Sequence, residues 1–447
     1  MSLVSALSRH VFHPLWDLKD GSVRVRTLRE LRRTQWLSLE AMRQRQLERL
    51  RVAVRYAGGN CPHYQRVFAE AGFNPENFEL ADFTRLPLLT KADIRTRTPD
   101  LLAKNVARES LGFHKTGGST GVSLTTYFDT RWQEVRNADA MRANEWAGWR
   151  HGMKVAAIWG NPPVAQTLKE RLRSGLLDRL MYLDTMNLNS ASLADFVVRW
   201  RREKPEALFG HSHSLYMLAK YLVESGVQDL RPRGIVSTSM MLLEAERQVI
   251  EAAFSCKVTD RYGCEEVGLI ASECDQHRGF HLNIEHLFIE FLRPDGSPAA
   301  SGEEGAIVVS DLLNRGMPLL RYRVEDVGVP SDRVCPCGRG FPMMERVVGR
   351  VADYLKKPDG SMVAGVSLVE RTLTAIDGIE QLQIVQPAAR QIELNVVRAP
   401  EFSQASESAL LAEFQNVFGS DFEIRISYLT NIPQEASGKY RFSICRI

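Results

Sequence analysis

The chain has 447 residues, 44% of them apolar and 25% charged, with a formal net charge of +3. That composition supplies two or three packed units with a sizeable core and argues against a chain dominated by disorder. The small charge excess gives no ground for a nucleic-acid partner, which calls for cations gathered on one face. The N-terminus has no basic segment leading into an apolar run and a cleavage site, and nowhere do about 18 uncharged apolar residues stand together. A cytoplasmic protein with no transmembrane segment is expected.

In chain order, residues 24 to 57 are rich in arginine, yet Leu47, Leu50 and Val54 recur at helical spacing. This predicts an amphipathic helix with a solvated arginine face, and a membrane-surface or acidic-partner helix is the alternative use of such a face. Next comes Thr116-Gly117-Gly118-Ser119-Thr120-Gly121. Its glycines let backbone N–H groups turn towards an anion, and its hydroxyls donate to the same oxygens, so the segment is suited to cradling phosphate. A Walker loop would run through Gly-Lys-Ser/Thr into a helix. Here Val122 to Phe128 is β-branched and aromatic, so the loop joins strands.

From about residue 110, short apolar runs such as Lys154 to Trp159 and Gly234 to Val236 alternate with helical patterns over Leu215 to Val223 and Glu244 to Phe254. That alternation predicts an α/β core. A strand-rich part follows: Leu287 to Phe291, a turn at Pro294-Asp295-Gly296, and Ala306 to Ser310. Beyond Gly349 the chain carries its own strand patterns at Glu380 to Val385 and Ile392 to Val397, and a helix over Ser406 to Phe418. The expected organisation is therefore a large N-terminal domain, 1–348, with mixed sheets and helices, and a small α+β C-terminal domain, 349–447.

Four further segments follow the glycine loop in fixed order: Tyr262-Gly263-Cys264-Glu265-Glu266, Tyr322-Arg323-Val324-Glu325-Asp326, Gly349-Arg350 and Ser437-Gly438-Lys439. With Leu86-Pro87-Leu88-Leu89-Thr90-Lys91 and Met317 to Arg323, this series resembles the adenylate-forming enzymes. It is most similar to their phenylacetate-CoA ligase branch, which includes capsule-biosynthesis-type adenylating proteins. The resemblance spans almost the whole chain and implies a mobile C-terminal domain that rotates between an adenylating and a transferring position.

The implied chemistry converts a carboxylate into an acyl adenylate with ATP, releases pyrophosphate and passes the acyl group to a nucleophile, CoA by default. Carboxylate and α-phosphate are both anionic, so the reaction calls for cations and oriented donors where charge shifts. By resemblance Lys439 supplies that cation and Glu266 binds Mg²⁺ beside the phosphates, an ion that favours oxygen ligands. Thr116, Gly117, Gly118, Ser119, Thr120 and Gly121 hold phosphate, and Tyr262, with Gly263 beside it, packs against adenine. Asp326 accepts from both ribose hydroxyls, as an acceptor-only carboxylate can, and Arg350 lies near the same sugar. The chain departs from the family pattern at three places: Glu265 stands where threonine is common, Ala352 where a hinge residue is expected, and Ser239-Met240-Met241-Leu242 where a Gly-Glu pair is usual.

Seven cysteines scattered through a chain this long argue for reduced thiols or a metal rather than a disulfide framework. Cys274-x2-His277 and Cys335-x-Cys337 form two close pairs able to complete a tetrahedral structural Zn²⁺ shell, and His281 is the alternative to His277. Trp159 and His211-Ser212-His213 are candidate acid-pocket residues, with core packing as the alternative. The partners expected are a carboxylic acid and an acyl acceptor, with a homodimer left open. Two other functions stay in view: an amide-forming ligase with an amine or amino-sugar acceptor, and a nucleotide-binding scaffold without turnover.

Overall fold

The structure, a computed structural model, describes residues 3–116, 124–160, 167–185, 188–348, 354–432 and 441–447. The first strands, β1 (Gly112–Thr116) and β2 (Leu124–Phe128), form an antiparallel hairpin in which Thr116 faces Leu124. Strands therefore flank the glycine-rich segment on both sides, as the β-branched run after it requires.

Eleven strands build one large sheet. Its first half is parallel: β3 (Val155–Trp159), β4 (Leu180–Asp184), β5 (Ala207–His211), β6 (Ile235–Thr238) and β7 (Val258–Cys264). Parallel strands are covered on both faces, which is why they read as short continuous apolar runs. On one face Ile158, Leu183, Leu208 and Ile235 pack on Phe196, Leu215 and Ile250, which lie on helices Ser190–Glu203, Ser212–Glu224 and Glu244–Phe254.

At β7 the sheet changes character. β8 (Gly268–Ser272) returns antiparallel, and β9 (Phe280–Leu282), β10 (Leu287–Leu292), β11 (Gly305–Asp311), β12 (Tyr322–Ser331) and β13 (Met343–Val348) continue antiparallel to the edge at β10. This half packs on the arginine-rich N-terminal region through Met42, Leu50 and Val54.

The single helix expected over 24–57 is two, Arg24–Thr34 and Leu39–Asn60. Ser38 caps the second by accepting from the Ala41 N–H, a stronger start signal than the apolar periodicity running through it. The break also has a partner: the Gly340 N–H donates to the Gln35 carbonyl, and a Cβ at Gly340 would sit 1.8 Å from the Leu37 carbonyl oxygen. Only glycine lets a loop come that close.

Helix Thr130–Trp146 lies among these elements and is buried on several sides. Its Arg142, 1% exposed, pairs with Glu285, donates to Asn283 at 3.0 Å and lies over the Trp146 and Phe341 rings at 5.2 and 4.8 Å. Beside it Asp139 meets His286 Nδ1 at 2.6 Å.

The C-terminal residues have a separate core. A hairpin, β14 (Tyr354–Lys356) and β15 (Met362–Ala364), precedes a four-stranded sheet ordered β18-β17-β16-β19. Its strands are β16 (Ile379–Ala388), β17 (Gln391–Arg398), β18 (Glu423–Leu429) and β19 (Ser443–Cys445). Helices Gly365–Ala375 and Gln404–Phe418 accompany it, and Leu373, Leu382, Ile384, Leu394 and Phe414 share one apolar cluster. The fold is thus mixed α/β with an α+β C-terminal part.

Removing one partner of a buried ion pair leaves an uncompensated charge. Arg142→Met is expected to cost about 3–5 kcal/mol, and adding Glu285→Leu to recover a large part of it; chemical denaturation of the single and double variants measures both.

Candidate active site

The turn between β7 and β8 is the centre of the site. A Cβ at Gly263 would come 2.4 Å from the Gly268 carbonyl oxygen, and Gly268 has φ +79°, so the reversal needs glycine at both ends. A register shift between Tyr262 and Gly263 marks a bulge, the usual device for re-aiming a side chain. The turn brings Tyr262 and Glu266 against β12: the Tyr262 hydroxyl donates to Asp326 Oδ2 at 2.8 Å, and the Tyr322 hydroxyl to Glu266 Oε1 at 3.2 Å. Glu266 and Asp326 are both buried, 6% and 9% exposed. Two carboxylates far apart in sequence are thereby held by phenols on each other's segments.

The same contacts account for landmarks that carried no role in the sequence. Lys91, 2% exposed, pairs with Glu325 Oε2 at 3.0 Å. Leu89 is clasped on both sides by β12, donating to the Arg321 carbonyl and accepting from the Arg323 N–H, each at 2.9 Å. Arg321 in turn grips Glu290 through two bonds at 2.9 and 3.1 Å. Only long-range contacts assign these residues; a lysine after Thr90 otherwise reads as the first turn of helix Lys91–Leu101.

Glu265, the departure from threonine, is compensated. Arg136 on helix Thr130–Trp146 donates to Glu265 Oε2 at 2.6 Å, and His114 Nδ1 lies 3.6 Å from the same oxygen. Arg136 also approaches His114 Nε2 at 2.8 Å, and His114 belongs to β1, two residues before Thr116. The extra carboxylate is absorbed by a local cation beside the β1–β2 hairpin. From that hairpin Lys115 reaches Asp377 of the C-terminal unit at 2.8 Å.

Several predicted residues fall elsewhere. Gly117, Gly118, Ser119, Thr120, Gly121, Arg350, Ala352 and Lys439 lie outside the described residues; the backbone of Thr116 ends β1. Ser239, φ 68°, follows β6, and the Met240 carbonyl accepts from Ser212 at 2.8 Å. His211 packs at a tilt against Trp159 with centroids 4.0 Å apart, and Trp159 lines a cavity of ≈ 590 Å³ beneath the N-terminal helices.

Cys274, Cys335 and Cys337 come together, but the histidine beside them is His281 and not His277. The four donor atoms lie within 4.8 Å of one another. Cys274 and Cys335 sulfurs are 3.7 Å apart and Cys337 Sγ is 3.3 Å from His281 Nε2. A tetrahedron with Zn–S of 2.3 Å has an S–S edge of roughly 3.8 Å. The expected Cys-x2-His pairing fails because the chain turns at His277, φ 49°, whose Nδ1 instead lies 3.5 Å from Glu273. His281 sits on β9, which carries its ring inward against Trp146 and Phe341.

Burial raises Cys274 and Cys335 above the ordinary thiol value, while backbone donors reach two of the three sulfurs. The Gln276 N–H donates to Cys274 Sγ and the Arg339 N–H to Cys337 Sγ, both at 3.4 Å. Burial opposes ionisation of Cys337, but the Arg339 backbone and side chain donate to its sulfur and bring it below the ordinary thiol value. Burial, with Arg339 and Arg142 nearby, lowers His281 to about 4, keeping the imidazole in the neutral form that ligates. Arg339 also stacks on Trp36 and Trp146 at 5.0 Å, tying this loop to the break between the N-terminal helices.

Comparison with known proteins follows the same lines. Residues 355–446 match the family model described as the CapK C-terminal domain. The chain is 27% identical to "Phenylacetate-coenzyme A ligase" of Thermus thermophilus over 393 residues, 84% of this chain and 86% of that protein. It is 22% identical to "Protein CapK" of Staphylococcus aureus over 407 residues, 90% and 89% of the two chains. In sequence the chain is similar to the phenylacetate-CoA ligase-like branch of the adenylate-forming enzymes. In fold it is similar to 2-hydroxyisobutyryl-CoA ligase, solved with 2-HIB-AMP and CoA in the thioesterification state, with a TM-score of 0.61, 20% identity, and 93% and 92% of the two chains covered.

If the four-donor cluster holds zinc, purified protein is expected to carry one zinc per chain. Cys335→Ser and His281→Ala should lose it together with thermal stability, whereas His277→Ala should keep it; metal analysis and a melting curve on each variant decide.

Proposed function

We propose that this ligase activates a carboxylic acid as its acyl adenylate, releasing pyrophosphate, and transfers the acyl group to CoA. The observation that carries the reading is the convergence of Tyr262, Glu266 and Asp326 at the β7–β8 turn, beside the hairpin that flanks the glycine-rich segment. In this reading Asp326 accepts from the ribose hydroxyls, with the Tyr262 phenol holding its other oxygen in place. Tyr262 offers its ring to adenine. Residues 116–121 donate to the phosphates, and Arg350 lies near the sugar. Glu266 supplies a ligand for Mg²⁺, which when bound neutralises phosphate charge.

The carboxylate of the acid attacks the α-phosphate, and Lys439 from the C-terminal unit offsets the repulsion between the two anions. Glu265 is kept from adding to that repulsion by Arg136. Cys264 stays a neutral thiol, because burial and nearby Glu266 raise it well above its ordinary value. Cys274, His281, Cys335 and Cys337 would fill all four positions of a zinc ion, which would then clamp the loops around β9 and β13 without an open position for the reaction. The boundary between the two working parts falls at 348/349.

A second reading rests on the match of residues 355–446 to the CapK C-terminal domain. A superfamily that borrows this domain for transfer can change acceptor there, so an amine or amino sugar is the alternative to CoA.

Pyrophosphate release from ATP and Mg²⁺, measured over aromatic, fatty and hydroxy acids with and without CoA, tests both. Lys439→Ala is expected to lower acid-dependent release roughly a hundredfold or more while sparing transfer from a supplied acyl adenylate. Release without thioester formation would favour the amine acceptor. ATP binding without release for any acid would favour a scaffold.

A further inference from the structure

Helices Ser190–Glu203, Ser212–Glu224 and Glu244–Phe254 fill one face of the parallel strands; the other face is hollow. Val155, Leu180 and Ala207 form one cross-strand row, and Ala157, Tyr182 and Phe209 the next. With Trp159 beyond them they line the ≈ 590 Å³ cavity, whose roof includes Met141 and Asn144 of helix Thr130–Trp146 and His13 of helix His13–Asp20. The space exists because Ala157 and Ala207 stand where larger side chains would close it. It runs at least from Val155 to Trp159, about 13 Å of strand.

The two ends differ. At the Trp159 end the parallel strands finish, the side on which α/β sheets present ligands. There Arg261, next to Tyr262, lies 5.1 Å over Phe209 and donates to Asn144 at 2.6 Å, joining the cavity wall to the proposed nucleotide site. At the opposite end stands His151. It is 7% exposed, its ring centroid lies 3.8 Å from that of His13 and 6.2 Å from that of Trp149, and among the described residues its nitrogens have no hydrogen-bond partner. His13, by contrast, is anchored by Nε2 at 3.2 Å from the Leu177 carbonyl.

We propose that this cavity receives the tail of the acid and that His151 reads a hydroxyl at the end remote from the carboxylate. The assignment of the carboxylate to the Trp159 end rests on the adenylation reading. The body of such an acid is elongated and apolar, matching walls of Val155, Ala157, Leu180 and Phe209. Its far group is uncharged: the charged residues lining the cavity are of opposite sign, Asp178 and Arg24, the latter paired with Asp17 at 2.9 Å, and His151 is neutral, since burial, His13 and nearby arginines lower it to about 3. A neutral imidazole offers one donor and one acceptor, the complement of a hydroxyl. A site built for a hydroxyl discriminates against its absence, since the imidazole would otherwise stay unpaired.

The test is a series of straight-chain acids of graded length, each with and without a terminal hydroxyl, scored by kcat/KM for pyrophosphate release. At the matching length the hydroxylated acid should be preferred about tenfold, the effect of one net hydrogen bond. His151→Leu should bring that ratio to about one or below, and Ala157→Trp should shift the preferred length shorter. A ratio near one in the wild type, a ratio unchanged by His151→Leu, or no dependence on length would overturn the proposal while leaving adenylation intact. Silence with every acid would instead count against adenylation, and thermal-shift titration of the same acids without ATP would then decide the cavity. Stabilisation by the hydroxylated acid that His151→Leu removes supports it; equal shifts, or none, refute it. Should Ala157→Trp fail to fold, the His151→Leu ratio decides alone.

Discussion

The reversal of one strand governs this molecule. A parallel sheet delivers its loops to one edge, and β7 belongs to that set, but its continuation turns back within a few residues instead of crossing over by a helix. Two glycines make the turn sterically possible, and it places Glu266 within reach of Tyr322 while Tyr262 meets Asp326. A side chain at Gly263 would collide with backbone, which cannot move aside as a flexible side chain can. The alignment of two carboxylates therefore depends on two residues that have no chemistry of their own.

Helix Thr130–Trp146 is the second organising element, because each of its sides serves a different task. Arg136 neutralises Glu265; Asp139 and Arg142 enter the buried network with His286 and Glu285; Met141 and Asn144 roof the cavity; and Trp146 packs on His281 and Phe341 beside the cysteine cluster. A helix with duties all round is polar and apolar by turns, which explains why it leaves no clean amphipathic stripe in the sequence. Packing, not propensity, holds such a helix.

The order of short motifs carried the fold and most of the proposed site, since each motif's residue types report local requirements: glycines at a tight reversal, aromatic and acidic residues on adjoining segments. Parallel strands such as Val155–Trp159 and the strands of the C-terminal unit were legible because both kinds of burial leave compact apolar signals. What the sequence hid was pairing across distance. Nothing near His277 says that its backbone turns away, and spacing favoured it over His281, which reaches the thiols only because β9 runs beside β13. Lys91 and Arg136 were invisible for the same reason, their partners lying more than a hundred residues away. The break at Ser38 was readable as a cap, yet an apolar spacing that continues through it masked the signal.

The contact between Lys115 and Asp377 joins the β1–β2 hairpin to the C-terminal unit through a carboxylate side chain that is 90% exposed. An ion pair so open to solvent contributes at most about 1 kcal/mol, and salt weakens it further. It is a contact with little holding force of its own, and what it contributes between these two parts of the chain is a function of ionic strength.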